Sequence, residues 1–414
     1  MSNRCRYWRR GKGERMTEVA DAERLIAEHM TAFGERTLPL SDAVDAVLNE
    51  EIVAERDQPP FDRVTMDGIA IAFRDWQNGT RSFRVIGTQG AGIPALSLSA
   101  TGQCVEIMTG AVLPENADSV VPVERITRVQ DAAEIEDTAE VSLGQFIHPR
   151  GSDRKAGSPL LHPGIRLGPP EIAVLASAGC TQVRAAALPR VAVISTGDEL
   201  VAVEEPLADY QIRSSNDRAI EASLLRHHLA RVTRSQIRDE RDNMLEAIRD
   251  LHDQSDVLIL SGGVSMGRYD FVPSVLEELN VTLIFHRIEQ RPGRPMWFGV
   301  SRDAKPVFAL PGNPVSTMVC LNRYVRPALQ QALGLGPSSA ERVTLAIDVE
   351  FSADLTYFLP VDVDWTDDGL GMATPRPTNT SGDFVALAGT DGFVELPRGR
   401  NIYERGAVVR LFRW

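Results

Sequence analysis

Residues 257–267 read V-L-I-L-S-G-G-V-S-M-G, four apolar residues running directly into a diglycine turn. A strand with one wet face alternates apolar and polar side chains, whereas one that is apolar throughout is buried on both faces. The same form recurs three times. V-A-V-I at 191–194 precedes S-T-G-D-E, V-T-L-I-F at 281–285 precedes an arginine-rich loop, and V-F-A-L at 307–310 precedes P-G-N-P-V-S. Helical patterns lie between these runs: one from an expected Asn216 cap through Ala219, Leu224 and Leu225, another at 244–251 and a third at 272–279. Apolar strands alternating with helices predict an α/β fold, with a doubly wound parallel-type sheet over residues 187–333.

Nearer the N-terminus, residues 21–35 place Ala22, Leu25, Ile26, Met30 and Phe33 near a 3.6 period, which predicts an amphipathic helix. Ser41 is expected to cap a second helix through Val44, Val47 and Leu48, and Pro59-Pro60 ends helical structure. Short β-rich runs follow at 82–86, 104–108 and 119–123. An Ala-rich helix is expected at 170–178, between Pro169-Pro170 and Gly179. After residue 334 short strands return, at 343–349, 356–361, 392–396 and 408–411. The expected organisation is therefore a helical and linker domain at 16–57 and 149–186, an inserted β domain at 58–148, the α/β domain, and a C-terminal β domain at 334–414. Residues 1–15 carry Arg4, Arg6, Arg9, Arg10, Lys12 and Arg15 with no apolar h-region behind them. They read as a disordered or mis-started extension ahead of Met16, not as a secretory signal.

Lys and Arg number 44 against 57 Asp and Glu, a net charge of −13, so general binding to nucleic acid or to an anionic membrane is disfavoured. No apolar run approaches the ~18 residues of a membrane span, and the cytoplasm is the expected location. Cys5, Cys104, Cys180 and Cys320 are far apart and form no C-x-x-C pair, which argues against a zinc knuckle, a redox dithiol or a disulfide framework.

Ligands of open α/β sheets bind beyond the carboxyl ends of the strands, so the four loops after the apolar runs are expected on one edge. Singly, each is an ordinary turn or a solvated edge; four in sheet order carry more weight. Gly262 and Gly263 allow backbone N–H groups close to an anion. Asn313 is expected to cap the helix opened by Pro314, whose N-terminus favours negative charge. Arg287, Arg291 and Arg294 offer forked donors suited to oxyanions. Glu199 and Asp270 are carboxylates beside these loops, a combination that points to magnesium next to a phosphate. Neither G-x-G-x-x-G nor G-x-x-x-x-G-K-[ST] is present, which disfavours NAD enzymes and P-loop NTPases. No nucleophile elbow or Ser–His–Asp arrangement supports acyl transfer.

Six motifs taken in order are more specific: F-D-R-V-T-M-D-G at 61–68, I-M-T-G at 107–110, S-T-G-D-E-L at 195–200, S-G-G-V-S-M-G at 261–267, R-P-G-R-P at 291–295 and L-P-G-N-P-V-S at 310–316. This set resembles the molybdopterin molybdenumtransferase family, to which the E domain of gephyrin also belongs. The resemblance covers residues from about 20 to 414. It implies a homodimer of four-domain subunits whose central domain has the molybdopterin adenylyltransferase-like fold. The implied reaction inserts molybdenum from molybdate into adenylylated molybdopterin and releases AMP, with Mg2+ required. The implied site lies between the central domain of one subunit and the inserted domain of the other.

By the same resemblance Asp67, Thr109, Asp153 and Asp239 are expected at catalytic positions. Ser195, Thr196, Gly262, Gly263 and Ser265 would take nucleotide or pterin phosphate. Arg287, Arg291, Arg294, Asn313, Pro314 and Ser316 would take molybdate or another anion, and Glu199 and Asp270 the metal. Molybdopterin adenylyltransferase is a possible partner under the same resemblance. The alternatives are a non-catalytic ligand-binding scaffold of the gephyrin type and the adenylyltransferase step itself. Three departures stand out. The family's K-P-G-K-P has both lysines replaced by Arg291 and Arg294, His148 stands where the family has arginine with Arg150 as the expected compensation, and 378–383 reads T-N-T-S-G-D in place of a Ser-rich turn.

Overall fold

The computed structural model describes residues 16–264, 271–336 and 340–414, which fall into two compact units. The smaller comprises Glu50–His162 and Pro169–Gln182, and the larger the remainder.

The larger unit is built on a six-stranded sheet in the order Arg231–Ile237, Arg190–Thr196, Val257–Ser261, Pro306–Leu310, Trp297–Val300, Thr282–His286. The first four strands are parallel. Trp297–Val300 runs antiparallel to both its neighbours, so Thr282–His286 again points the way the parallel strands do. Val191, Val193, Val257, Ile259, Phe308 and Leu310 enter one apolar cluster with Ile220, Leu224 and Val319. Their alternates Ala192, Ile194, Leu258, Leu260, Val307 and Ala309 enter another with Met244, Ile248 and Val275. Helices cover both faces, which is why these strands lack alternation. Phe285, Phe298 and Phe308 form a cross-strand aromatic row, with centroids 5.7 and 4.9 Å apart.

Two strands of this sheet carried no apolar-run signal. Arg231–Ile237 is an edge strand that buries only Ile237, and Trp297–Val300 is four residues long. The second of these makes the sheet mixed rather than wholly parallel.

The helix Val19–His29 buries Val19, Ala22 and Ile26 in the first cluster. The second helix expected through Val44, Val47 and Leu48 does not form. Leu40–Asp42 is a short 3-10 turn, and Asp45 sits at φ +62°, outside the helical region. The backbone N–H groups of Asp45, Leu48 and Asn49 donate instead to the carbonyls of Leu167, Ile165 and Arg184. Downstream, Pro314–Cys320, a π-helical turn Leu321–Val325 and Arg326–Ala332 make one continuous helical run. Pro327 has no N–H for the carbonyl of Arg323, which accounts for the loosened turn before it.

Residues beyond 340 form a second sheet, in which Thr356–Trp365 pairs with both Gly371–Pro375 and Gly392–Leu396 and so closes it on itself. Gln290–Arg291 adds to it in parallel, with Gln290 opposite Thr356 and Arg291 opposite Tyr357. The arginine-rich loop of the α/β domain is thereby stitched to the C-terminal strands.

The smaller unit holds a six-stranded sheet in the order Ser119–Pro122, Gly68–Ile71, Gln103–Ile107, Ser82–Gln89, Ala132–Ile135, Ile126–Val129. Ile69 and Ile71 face one apolar cluster and Ala70 the other, which makes Gly68–Ile71 the buried centre. The helix Pro169–Ser177 begins at its proline, and Gly179 follows at φ +76°.

Candidate active site

Strand direction places the turns after Thr196, Ser261, His286 and Leu310 on one edge of the central sheet. A cleft of about 860 Å³ opens there, lined by Ser195, Thr196, Glu199, Asp239, Gly262, Gly263 and the 311–314 turn among others.

The diglycine is required by geometry. Gly262 and Gly263 sit at φ +98° and +66°. A Cβ on Gly262 would lie 2.6 Å from the Thr196 carbonyl oxygen, and one on Gly263 would lie 2.8 Å from Thr196 Oγ1 and 2.6 Å from Val272 Cγ2. Side chains disfavour both the torsion and the approach. Ser195 and Thr196 are buried at the carboxyl end of their strand, and their hydroxyls have no hydrogen-bond partner among the described residues. Buried hydroxyls left unsatisfied at a cleft wall are poised for a ligand oxygen. Asp198 Oδ1 accepts the Asp239 backbone N–H at 3.1 Å, which fixes the turn after Thr196 to the loop after the edge strand. Glu199 is exposed, and its carboxylate folds back to within 2.8 Å of where a Gly197 Cβ would stand.

Asn216 is not a cap. It is the first residue of its helix, with Ser215 at the capping position. Its Nδ2 donates to Ser261 Oγ and to the Gly312 carbonyl, both at 2.8 Å, clamping two cleft-lining turns together. Asn313 holds the N-cap position of Pro314–Cys320 without a side-chain capping bond. Its Nδ2 donates to Ser381 Oγ at 2.7 Å, and the Val315 N–H donates to the Ser381 carbonyl. The 378–384 turn is thus docked on this edge, and Gly382 and Phe384 join the cleft lining.

A second cavity of about 320 Å³ shares Pro295, Pro311 and Asn313 with the first. Arg291, Arg294 and Ser316 line it, facing Tyr357 and the 378–381 turn. Phe351 and Tyr357 stack at 4.3 Å, with the Arg291 guanidinium 6.0 Å from the Phe351 centroid. Arg294 Nε lies 3.2 Å from Met16 Sδ. Arg287 belongs to neither lining. At φ +71°, its N–H donates to the Met296 carbonyl and its own carbonyl accepts from Thr17. Ser265 and Asp270 lie outside the described residues.

In the smaller unit Asp67 Oδ1 accepts Thr109 Oγ1 at 2.7 Å and the Thr109 N–H at 2.6 Å. These bonds, the hydroxyl first, hold the Asp67 carboxyl below its usual range. Thr109→Val keeps the backbone donor and removes the hydroxyl, so the Asp67 pKa should rise toward the ordinary carboxylate value. Carboxyl NMR titration reads this directly, and an unmoved pKa would refute the assignment. His148 pairs with Arg63 in strand register; Arg63 NH2 donates to its Nδ1 at 3.1 Å, leaving Nε2 as the donor to Asp153 at 3.0 Å. Arg150 does not take over the position of His148. Its Nε donates to Asp57 at 2.8 Å, and its N–H to Asp62.

A doubly wound core whose strand ends carry a glycine-lined cleft beside an arginine-lined pocket defines an α/β protein with two adjoining cavities at one edge of its sheet. Residues 17–179 match the MoeA N-terminal region (domain I and II), 192–331 a probable molybdopterin binding domain, and 342–413 the MoeA C-terminal region (domain IV). A Synechocystis protein named molybdopterin molybdenumtransferase is 38% identical over 96% of this chain and 100% of its own length. A Staphylococcus aureus protein of the same name is 31% identical over 94% of each. The crystal structure of a molybdopterin biosynthesis moea protein from Pyrococcus horikosii superposes with a TM-score of 0.82 at 30% identity, covering 96% of this chain and 99% of that one. The chain belongs to the molybdopterin molybdenumtransferase family, transferases of molybdenum cofactor biosynthesis.

Sequence reading missed the clamp role of Asn216, the Asn313–Ser381 link, Phe384 and the buried Gln290 beneath the arginine loop. Gln290 directly precedes R-P-G-R-P, but a polar residue beside a charged loop gives no sign of complete burial.

Proposed function

We propose that the chain inserts molybdenum from molybdate into adenylylated molybdopterin and releases AMP. The observation that carries this reading is the pair of adjoining cavities with a common wall at Pro295, Pro311 and Asn313. The larger suits a nucleotide and phosphates, with the diglycine turn and the hydroxyls of Ser195 and Thr196 that find no partner among the described residues. The smaller suits a tetrahedral oxyanion, with two forked guanidinium groups at Arg291 and Arg294. Adjoining cavities would hold the two reactants side by side, and proximity would lower the barrier to their reaction.

Magnesium fits this donor set. Among the described residues no group of three or more His, Cys, Asp or Glu side chains could hold a metal. Magnesium asks for less: one or two carboxylates, retained waters and substrate phosphate oxygens. Glu199 would supply one carboxylate and Asp270 is the expected second, while the ion would offset phosphate charge. Asp239, in the same cleft, would orient polar groups there, and Asn313 and Pro314 would present the start of their helix. Asp67, Thr109 and Asp153 serve the same chemistry in this proposal, as do the homodimer, the cytoplasmic location and a handover from molybdopterin adenylyltransferase. No described helix is long and apolar enough to cross a membrane.

The test is AMP release on mixing the protein with adenylylated molybdopterin and molybdate. Molybdate-dependent AMP release is the expected result. Consumption of ATP and free molybdopterin would show an adenylyltransferase, and ligand binding without turnover a scaffold. Arg291→Ala and Arg294→Ala should each raise the half-saturating molybdate concentration roughly ten- to a hundredfold, the weight of a lost charge-assisted hydrogen bond. Unchanged molybdate dependence in both variants would remove the oxyanion role of this pocket.

A further inference from the structure

The arginine loop does not hold itself in place. Gln290 is fully buried beneath it, on the two-residue strand that joins the C-terminal sheet. Its Nε2 donates to the Pro292 carbonyl at 3.0 Å and approaches Cys320 Sγ at 3.5 Å. Since that carbonyl can only accept, the amide orientation is settled, and Oε1 faces the Tyr324 hydroxyl, which donates to it. Cys320 Sγ in turn lies 3.6 Å from the Gly293 carbonyl. The fit is close enough that a Cβ on Gly293, at φ +89°, would stand 2.6 Å from both Cys320 Sγ and Gln290 Nε2.

Two consecutive carbonyls between Arg291 and Arg294 are therefore gripped from below by side chains that meet no solvent. Burial pushes the Tyr324 phenol well above its usual pKa, so it remains a proton donor at any working pH. Tyr324 stands on the π-helical turn, where the neighbouring Arg323 is fixed by Glu23 and Glu395. The support thus runs from the C-terminal strands through the π turn to the loop.

We infer that Gln290 and Tyr324 are positioning residues that set the spacing and direction of Arg291 and Arg294 across the smaller cavity, and so the affinity for the tetrahedral oxyanion. This rests on the reading of that cavity as an oxyanion pocket. The buried pair touches no reactant; it acts through the loop backbone.

Tyr324→Phe removes a single hydroxyl and leaves the packing. It should raise the half-saturating molybdate concentration roughly tenfold. The KM for adenylylated molybdopterin, and kcat at saturating molybdate, should stay within about twofold of the parent values, since no charged group is lost. Gln290→Leu, which leaves both the carbonyl and the phenol unpaired, should have the larger effect. Direct calorimetric titration with molybdate alone should follow the same order. Equal weakening toward both substrates, or a lowered Tm with unchanged molybdate affinity in the surviving fold, would reduce the pair to a general packing role and overturn the inference. If Arg291→Ala and Arg294→Ala also leave molybdate binding intact, the reading of the cavity fails; if they weaken it while the Tyr324 and Gln290 variants do not, only the positioning role fails.

Discussion

Glu199→Gln is expected to cut AMP release by roughly a hundred- to a thousandfold, the usual cost of removing one preorganised electrostatic group at a reacting centre. The change keeps the shape of the side chain and deletes its charge. Glu199 is exposed on the turn after Thr196, so the fold should not register the loss and the thermal midpoint should stay close to the parent's. The defect should be partly relieved by raising magnesium, because a site short of one carboxylate binds the ion more weakly but still offers substrate oxygens. Single-turnover AMP release across a magnesium series, with nucleotide binding measured alongside, separates these effects. Parental turnover at every magnesium concentration would dispose of the metal role of Glu199.

The second large effect concerns folding. Arg323 is 2% exposed, donating to Glu395 at 3.1 Å and to Glu23 at 2.9 Å, with its guanidinium 5.0 Å from the Phe412 centroid. Glu395→Ala would strand a buried cation beside aromatic faces and one half-exposed carboxylate. Breaking a buried pair from one side costs about 3–5 kcal/mol. Glu23→Ala removes the wetter partner and should cost about 1 kcal/mol or less. Replacing both members of the buried pair, as in Arg323→Met with Glu395→Leu, should recover most of the loss, since apolar packing avoids the desolvation of both charges. Urea unfolding of the three variants decides this. A Glu395→Ala cost no greater than that of Glu23→Ala would show that the guanidinium is solvated in the working protein.

The readable part of the molecule was the part whose signal is local. Runs such as 191–194 and 257–260 declare burial on both faces, and the turn that follows each is contiguous with it, so the sheet edge that carries these turns could be placed from sequence. Arg231–Ile237 was invisible because an edge strand is clothed in polar side chains, and Trp297–Val300 because four residues support no periodicity. The helix expected through Val44 and Leu48 lost to distant carbonyls at 165, 167 and 184, partners that no window around Ser41 contains. The same holds in the site. Gly262 and Gly263 announce themselves, whereas Asn216 and Asn313 look like caps and serve as cross-links because Ser261, Gly312 and Ser381 arrive from far along the chain. Arg287 reads like Arg291 and Arg294 on composition, but it lines neither of the two cavities.

The pairing of Gln290 and Arg291 with Thr356 and Tyr357 makes the C-terminal sheet something other than an appendage. A version shortened before residue 340 would retain every strand of the mixed sheet and the glycine turn with it, yet its guanidinium loop would be unmoored. Such a fragment would also lose Gly382 and Phe384 from the larger cleft and Tyr357 from the smaller, so the closed C-terminal sheet is a structural part of both pockets.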